Sequence, residues 1–435
     1  MINLNILFRA MKNRNYRLFF AGQGISLTGT WMQQVALGWL VYRMTNSALL
    51  LGVVGFAGQI PAFFLLPFAG AVADRYHRRK ALLITQFLAM LQAAILAFLV
   101  LTDMITVRYI IMLSAVLGVI NSFDMPIRQA FTVEMVDKKE DLGNAIALNS
   151  SMFNLARLIG PSVAGFLIAA AGEGICFLVN AVSYIPVIIS LCVMDIAYRE
   201  NKGTGKGIFH ALKEGFDYAF GFSPIRSILL LLALISFMGV SYQILMPVFA
   251  KDIFHGTSRT LGFFMAMAGA GALAGALFLA GRKSVIGLVR MIAVSSGLFG
   301  AGLVAFSFSR ELWLSMAVIF VSGFSMMVVM ASSNTILQTI VEDDKRGRVM
   351  SFYVMAFIGT APFGSLLAGD LATRIGAPRV MLMGGMCCIL GSILFARILP
   401  SIRKEVHPIY IKKGIIPEVA EGLRDAAGIE SVSKL

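Results

Sequence analysis

The sequence predicts an all-helical integral membrane protein of twelve transmembrane helices, built as two pseudo-symmetric six-helix bundles. Three observations lead there. Of the 435 residues, 58% are hydrophobic and only 14% are charged, far from the roughly 45 to 50% apolar and 25% charged make-up of a soluble globular chain. The apolar residues fall in runs that suit helices of about 20 residues, the length that crosses a bilayer. A stretch of the first half also recurs in the second half at a constant offset.

The opening residues 1–16 are polar and basic, and the apolar run that follows, Leu18 to Val41, exceeds the roughly 7 to 15 residues of a signal-peptide core. It reads as a retained first span, near 17–42. Five more follow near 48–72, 81–102, 107–133, 144–171 and 174–194, and six others near 226–250, 260–281, 285–308, 312–340, 348–373 and 378–399. Lipid leaves backbone polar groups unsatisfied, so each span is a helix or a strand of a closed barrel. Unbroken apolar runs such as Ile228 to Leu234 lack the alternation of a barrel strand.

Orientation follows from where the basic residues lie. With the N-terminus inside, the outer connections hold only Arg43, Arg108, Lys251, Arg259, Arg310, Arg374 and Arg379, while Arg128 and Arg157 lie within spans. Every other one of the 37 Lys and Arg residues falls on the inner side. Both termini are therefore expected in the cytoplasm and the protein in the plasma (inner) membrane, as a multi-pass chain surrounded by lipid.

The organisation reads as an N-terminal bundle (1–195), a cytoplasmic linker (196–225), a C-terminal bundle (226–400) and a cytoplasmic tail (401–435) expected to be mobile. In the linker, the flexible 202–207 segment precedes Ile208, Phe209, Leu212, Phe216, Ala219 and Phe220 at near-helical spacing. That pattern suits a surface helix against the inner leaflet. Gly205-Lys206 is no phosphate loop, because Glu200 and Gly207 occupy positions that the motif reserves for other residues. The internal repeat aligns Gly143 with Gly347, Phe153 with Phe357, Gly160 with Gly364, Gly165 with Gly369, and Gly172 with Gly376. Span five thus corresponds to span eleven, a parallel duplication of the kind found in transporters.

Several chemistries are excluded. Cys176, Cys192, Cys387 and Cys388 lie in apolar runs without CxxC spacing, and His77, His210, His255 and His407 form no HExxH pattern, so neither a metal site nor a cofactor is expected. The net charge of +14 is spread between spans instead of gathered in one patch, so no nucleic-acid partner is expected. No catalytic set is present and the chain is not read as an enzyme.

Ionisable residues inside a span are costly and by default functional, which singles out Asp124, Arg128 and Arg157. At 1.5 Å per residue, Asp124 and Arg128 lie roughly 15 and 9 Å above the inner end of span four, and Arg157 roughly 20 Å along span five. An Asp124–Arg157 pair is possible at those depths. A closed i, i+4 pair between Asp124 and Arg128 is the alternative. Span one carries a polar stripe, Gln23, Ser26, Thr30 and Gln33, which reads either as cavity lining or as hydrogen bonding between helices.

The loop after span two, Gly70-Ala-Val-Ala-Asp74-Arg75-Tyr76-His77-Arg78-Arg79-Lys80, resembles the G-xxx-D-R-x-G-R-R motif of the Major Facilitator Superfamily. The opening Asn15 to Met32 and the stretch from Pro126 to Val136 and on to Ile159-Gly160-Pro161 are similar to its exporter branch, which includes the enterobactin exporter and drug/proton antiporters. The likeness covers about residues 8 to 400. His77 stands where the family prefers Gly, and the matching second-half loop, Gly275 to Lys283, has no Asp. The resemblance implies the superfamily's fold, with spans one, four, seven and ten lining a pathway. Gln23, Ser26, Thr30, Gln33, Tyr242, Gln243 and Asn334 are then the expected lining residues. Gly160, Pro161 and Gly165 resemble part of the antiporter motif and are expected to pack helices closely, although Ala164 and Phe166 flank Gly165 where the motif has a second Gly.

Asp74 can face the positive N-terminal end of span eleven near Gly347, and Arg78 can pair with Glu134. With Arg75 these form an expected cytoplasmic gate; the alternative for the basic residues is anchoring to anionic lipid. The resemblance implies a secondary active transporter working by alternating access, and the intramembrane charges Asp124, Arg128 and Arg157 are expected to serve proton coupling or substrate binding, since protonating Asp124 releases the arginine it holds. The expected activity is proton-coupled export of amphipathic small molecules or siderophores, by a monomer. The alternative is a lysophospholipid or lipid transporter, or an uncoupled facilitator.

Overall fold

The computed structural model describes residues 9–75, 77–136, 141–194, 208–240, 242–282, 284–342, 345–413 and 415. Ten of the described helices are long and apolar enough to cross a membrane. One of them, Leu142–Val193, is broken at Gly172 and so passes twice. Arg14–Thr45, 32 residues, is also long enough to cross but is dotted with polar residues, and it brings the passes to twelve. In chain order they are α1 (Arg14–Thr45), α2 (Ala48–Arg75), α3 (Arg78–Leu101), α4 (Val107–Glu134), and α5 and α6 (142–171 and 173–193). The second half holds α7 (Ser223–Ile253), α8 (Ser258–Ala280), α9 (Leu288–Phe308), α10 (Leu312–Ile340), α11 (Arg346–Ile375) and α12 (Ala377–Lys412).

The expected span positions match to within a few residues except at the end of the chain. The tail expected to be mobile from Ser401 is helical up to Lys412. Ile402, Val406 and Tyr410, spaced four apart on one face, are buried in the core of the second half. Burial of that stripe outweighs the cost of Pro400 and Pro408 inside the helix. The linker helix, Ile208–Gly221, forms where its periodicity predicted. It docks on protein as well as facing outward: Glu214 pairs with Arg348 at 2.7 Å, Lys345 lies 4.5 Å from the centre of the Tyr218 ring, and Ala219 is buried.

The repeat has a physical basis at its last glycine. Gly172 and Gly376 both have positive φ, 82° and 88°, and each joins two spans directly, α5 to α6 and α11 to α12. Left-handed backbone at a helix junction favours the residue without Cβ.

Within each half the helices pack side by side, α1 on α5 and α6, α2 on α4, α8 on α10, and α9 on both α10 and α12. Between the halves two seams dominate, α5 with α8 and α2 with α11. Each seam is a glycine pair. A Cβ built on Gly262 would lie 2.8 Å from Cα of Gly165, and one on Gly369 would lie 3.0 Å from Cα of Gly52. Gly165 and Gly369 are the residues aligned by the repeat, and Gly52 and Gly262 each sit four residues into their helices. The two seams are therefore symmetry copies of one contact.

The apolar core divides unevenly between the two ends of the bundle. Toward the face that carries the start of α1, called here the terminal face, a cluster including Phe19, Leu82, Phe131 and Val187 stays within the first half. Toward the opposite face, Val35, Leu40, Leu51, Ile110 and Phe177 merge with the core of the second half into one cluster. Small residues also weld α8 to α10. A Cβ on Gly271 would overlap the Phe320 carbonyl oxygen and lie 2.8 Å from the Phe324 nitrogen.

Gly271→Ala should therefore lower stability by about 1 to 3 kcal/mol, the usual cost of overpacking, read as a drop in the thermal unfolding midpoint in detergent. Gly281→Ala, whose Cβ would meet nothing closer than 3.6 Å, should leave the midpoint unchanged.

Candidate functional site

A cavity of about 340 Å³ lies between the halves. Its walls come from α1 (Thr30, Gln33, Gln34, Gly38), α2 (Val54, Gly55, Gln59), α4 (Ser114, Asn121), α7 (Val240, Gln243, Pro247), α8 (Leu261, Met265) and α11 (Ala361, Ser365). Amides and hydroxyls are set into an apolar surface, and no charged side chain is among the described lining residues. α7 approaches it through a π-helical stretch, Ile235–Val240, a distortion that recurs at functional sites.

Of the residues expected to line a pathway, Thr30, Gln33 and Gln243 border this cavity and Gln23, Ser26, Tyr242 and Asn334 do not. Ser26 lies on the same face of α1 as Gly22 and Gly29, whose missing side chains admit Val187 and Ser183 of α6; that half of the stripe faces a neighbouring helix. Gln23 is buried too. Tyr242 packs edge-on against Phe299. Asn334 accepts from Gln338 Nε2 at 2.9 Å, and no residue of α10 borders the cavity, because the small residues of that helix pack on α8 and α9. The contributions of α2, α8 and α11 were not foreseen: only Gln59 breaks the apolar pattern of α2 on the cavity side.

Gln33 belongs to both alternatives. Its Oε1 accepts from Asn180 Nδ2 at 2.7 Å, its Nε2 donates to Gln92 Oε1 at 3.2 Å, and Gln92 in turn donates to the Leu113 carbonyl at 3.3 Å. This buried chain links α1, α6, α3 and α4 and holds the cavity wall in one shape.

The intramembrane charges are arranged as follows. Asp124 is 3% exposed and accepts from Thr85 Oγ1 at 2.8 Å, from Gln86 Nε2 at 2.6 Å and from the Arg128 guanidinium. The pair is the closed i, i+4 pair within α4, and Arg157 stands apart from it. The Arg157 guanidinium lies 5.4 Å from the centre of the Trp31 ring. Thr85 and Gln86, the α3 partners of Asp124, carry no sequence signal beyond being adjacent polar residues in a span.

At the terminal face, Arg78 Nη1 donates to Glu134 Oε1 at 2.8 Å, and Arg79 caps the end of α6 by donating to the carbonyls of Leu191 and Cys192, both at 2.6 Å. Asp74 and Arg75 end α2; their side chains lie outside the described residues. Gly347, in the first turn of α11, faces open space. Gly160 packs on α1, where a Cβ would come within 2.6 Å of Trp31 Cβ, and the Pro161 carbonyl oxygen lies against Gly262 beside the Gly165 seam.

The opposite face carries ties that sequence reading did not single out. Tyr42 donates its hydroxyl proton to Asp252, and Lys251 Nζ donates to Asn46 Oδ1 at 2.6 Å while lying 5.5 Å from the centre of the Tyr42 ring. Both ties cross between the halves. Arg43 makes a two-pronged pair with the buried Glu173, 2.7 and 3.2 Å, within the first half. The available signal was an acid at each span end, Glu173 after Gly172 and Asp252 after Lys251.

Two six-helix halves enclosing a mid-depth cavity, tied together at one face, define a membrane transporter. Residues 7–429 match the family described as transmembrane secretion effector, and the chain belongs to that family of the Major Facilitator Superfamily. Over 381 residues it is 29% identical to the staphyloferrin A transporter of Staphylococcus aureus, covering 87% of this chain and 95% of that one. It is 24% identical to the multidrug efflux pump Tap of Mycolicibacterium fortuitum, over 88% of this chain and 93% of the pump. A bacterial homologue of the human lysosomal transporter Spinster, solved inward-facing and unoccupied, shares the fold, with a TM-score of 0.66 over 90% of this chain and 98% of its own at 13% identity. The protein is a multi-pass transporter of small molecules and not an enzyme.

The ties across the opposite face give a direct test. In a background whose native cysteines are replaced by Ser, N46C and K251C should be joined by a short bifunctional thiol reagent, and transport should stop once they are joined. Transport that continues at full rate in the cross-linked protein would show that this face never opens.

Proposed function

We propose that the protein exports amphipathic small molecules or siderophores from the cytoplasm by alternating access, driven by protons, as a monomer in the cytoplasmic membrane. The observation that carries this reading is an amide-lined cavity between two halves whose shared core and cross-half ties gather at one face. With both termini in the cytoplasm, as the distribution of basic residues supports, that face is the outer one and this conformation is inward-facing. The bundles 1–195 and 226–400 then rock about the two glycine seams, and the linker helix rides on α11. Efflux-pump and siderophore-transporter relatives support the cargo class and the direction.

On this reading the inner gate closes when Asp74, beside Arg75 at the end of α2, meets the positive N-terminal end of α11 at Gly347. The Arg78–Glu134 pair holds the start of α3 to the end of α4 so that the gate moves with its bundle. Coupling runs through Asp124. A proton on its carboxylate removes the charge that holds Arg128, and the freed guanidinium favours the conformation in which it finds another partner. An ion pair present in one state and absent in the other is what lets a proton shift a conformational equilibrium.

Asp124→Asn keeps the shape of the side chain and removes its titration. In energised everted vesicles it should abolish substrate-dependent collapse of the proton gradient while leaving downhill movement of substrate. Transport by the variant at an unchanged rate and with unchanged pH dependence would sink the coupling and favour an uncoupled facilitator or a lysophospholipid transporter.

A further inference from the structure

The amide-lined cavity holds no charge of its own, but one unneutralised cation stands at its edge. Arg157 lies roughly 22 Å from the start of α5, at 1.5 Å per residue, far from either end of its span. Three contacts locate it. A Cβ on Gly269 would lie 2.7 Å from the Arg157 carbonyl oxygen, and one turn along α8 from Gly269 is Met265, a cavity wall residue. On α1, Trp31, which lies beneath the guanidinium, is likewise one turn from the wall residue Gln34. Arg157 therefore sits one helical turn from the cavity on its terminal-face side, and it is half-buried.

The other intramembrane arginine, Arg128, is neutralised by Asp124. Among the described residues no carboxylate lies within ion-pair distance of Arg157; the Trp31 ring lies against its guanidinium, and the Tyr242 phenol acts on it electrostatically. A charge held inside the bilayer without a counter-ion is costly. The indole covers one face of the guanidinium and leaves the in-plane N–H groups free, the groups that grip a carboxylate or phosphate in a two-pronged bond. The lining amides add neutral donors and acceptors, and no described lining residue is an acid that would attract a cation.

We infer that Arg157 is the anion-binding subsite of the pathway, and that the cargo is an organic anion whose carboxylate or phosphate neutralises it. Trp31 stacks on the guanidinium and holds it in place, and Gln34, Gln243 and Asn121 bind the polar remainder of the molecule. This rests on the transporter reading above and narrows it to negatively charged cargo.

The test uses the full chain with three probes: carboxyfluorescein, ethidium and a fluorescent lysophosphatidylglycerol. Equilibrium binding is read by fluorescence anisotropy in detergent, and movement is read separately in proteoliposomes. Wild-type protein should bind and move carboxyfluorescein in preference to ethidium. Arg157→Gln should weaken carboxyfluorescein binding about ten- to a hundredfold, the range for losing hydrogen bonds to a charged group, and Arg157→Lys should keep more of it. The anion-to-cation ratio is the decisive quantity, because a variant that is merely misfolded loses both probes together.

Preference for ethidium in the wild type, or undiminished carboxyfluorescein binding by Arg157→Gln, would overturn the subsite and leave the transporter reading standing. Arg157-dependent binding with no movement of any probe would do the reverse. Displacement of carboxyfluorescein by the lysophospholipid would assign the anion to a lipid headgroup, and lack of displacement to a soluble acid; Arg157 binds an anion in either case.

Discussion

Two helix backbones can come into contact only where neither carries a side chain at the crossing, and inside a bilayer such close packing replaces the hydrophobic drive that joins helices in water. The α5–α8 and α2–α11 seams both meet that condition with a glycine on each side. Everything between the halves is arranged around these two contacts. They set the spacing that leaves an amide-lined space at mid-depth, and they lie at the end of the bundle where both halves share one core. The Tyr42–Asp252 and Lys251–Asn46 ties close the same end. Polar bonds there reinforce a join that shape has already made.

The charges follow a different logic. Burying a carboxylate is tolerable when several donors surround it, and Asp124 has three, on two helices. Gln33, Gln92 and Asn180 satisfy one another in the same way. The first half is thus a bundle with a polar interior whose members are bonded together, whereas α10 of the second half buries a series of serines, Ser315, Ser322, Ser325, Ser332 and Ser333, that serve mainly to be small. The duplication kept the backbone plan and let the interior chemistry diverge.

The twelve spans were legible because apolar runs of membrane length have few other uses. The repeat was equally plain, and two of its glycine pairs proved to be a junction, Gly172 and Gly376, and a seam position, Gly165 and Gly369. What a face touches was not legible. The polar stripe of α1 splits, with Thr30 and Gln33 at the cavity and Ser26 turned toward α6, because periodicity tells which residues share a face but not which helix lies opposite. The end of α12 was hidden by its prolines and charges, although Ile402, Val406 and Tyr410 carried a four-residue period. The partners of Asp124 could not be found from spacing, since Thr85 and Gln86 are brought to it by the packing of α3 on α4. Asp252 and Glu173 lie at span ends, and only the fold brings them to Tyr42 and Arg43.

The elbows at Gly172 and Gly376 join α5 to α6 and α11 to α12 with no slack chain between them. A loop of several residues would absorb a tilt of one helix before its neighbour felt it. A single left-handed residue cannot, so each pair behaves as a bent lever with a seam helix as one arm. Torque applied at a seam would be delivered directly to α6 or α12, so the two helices of each elbow are held to one movement.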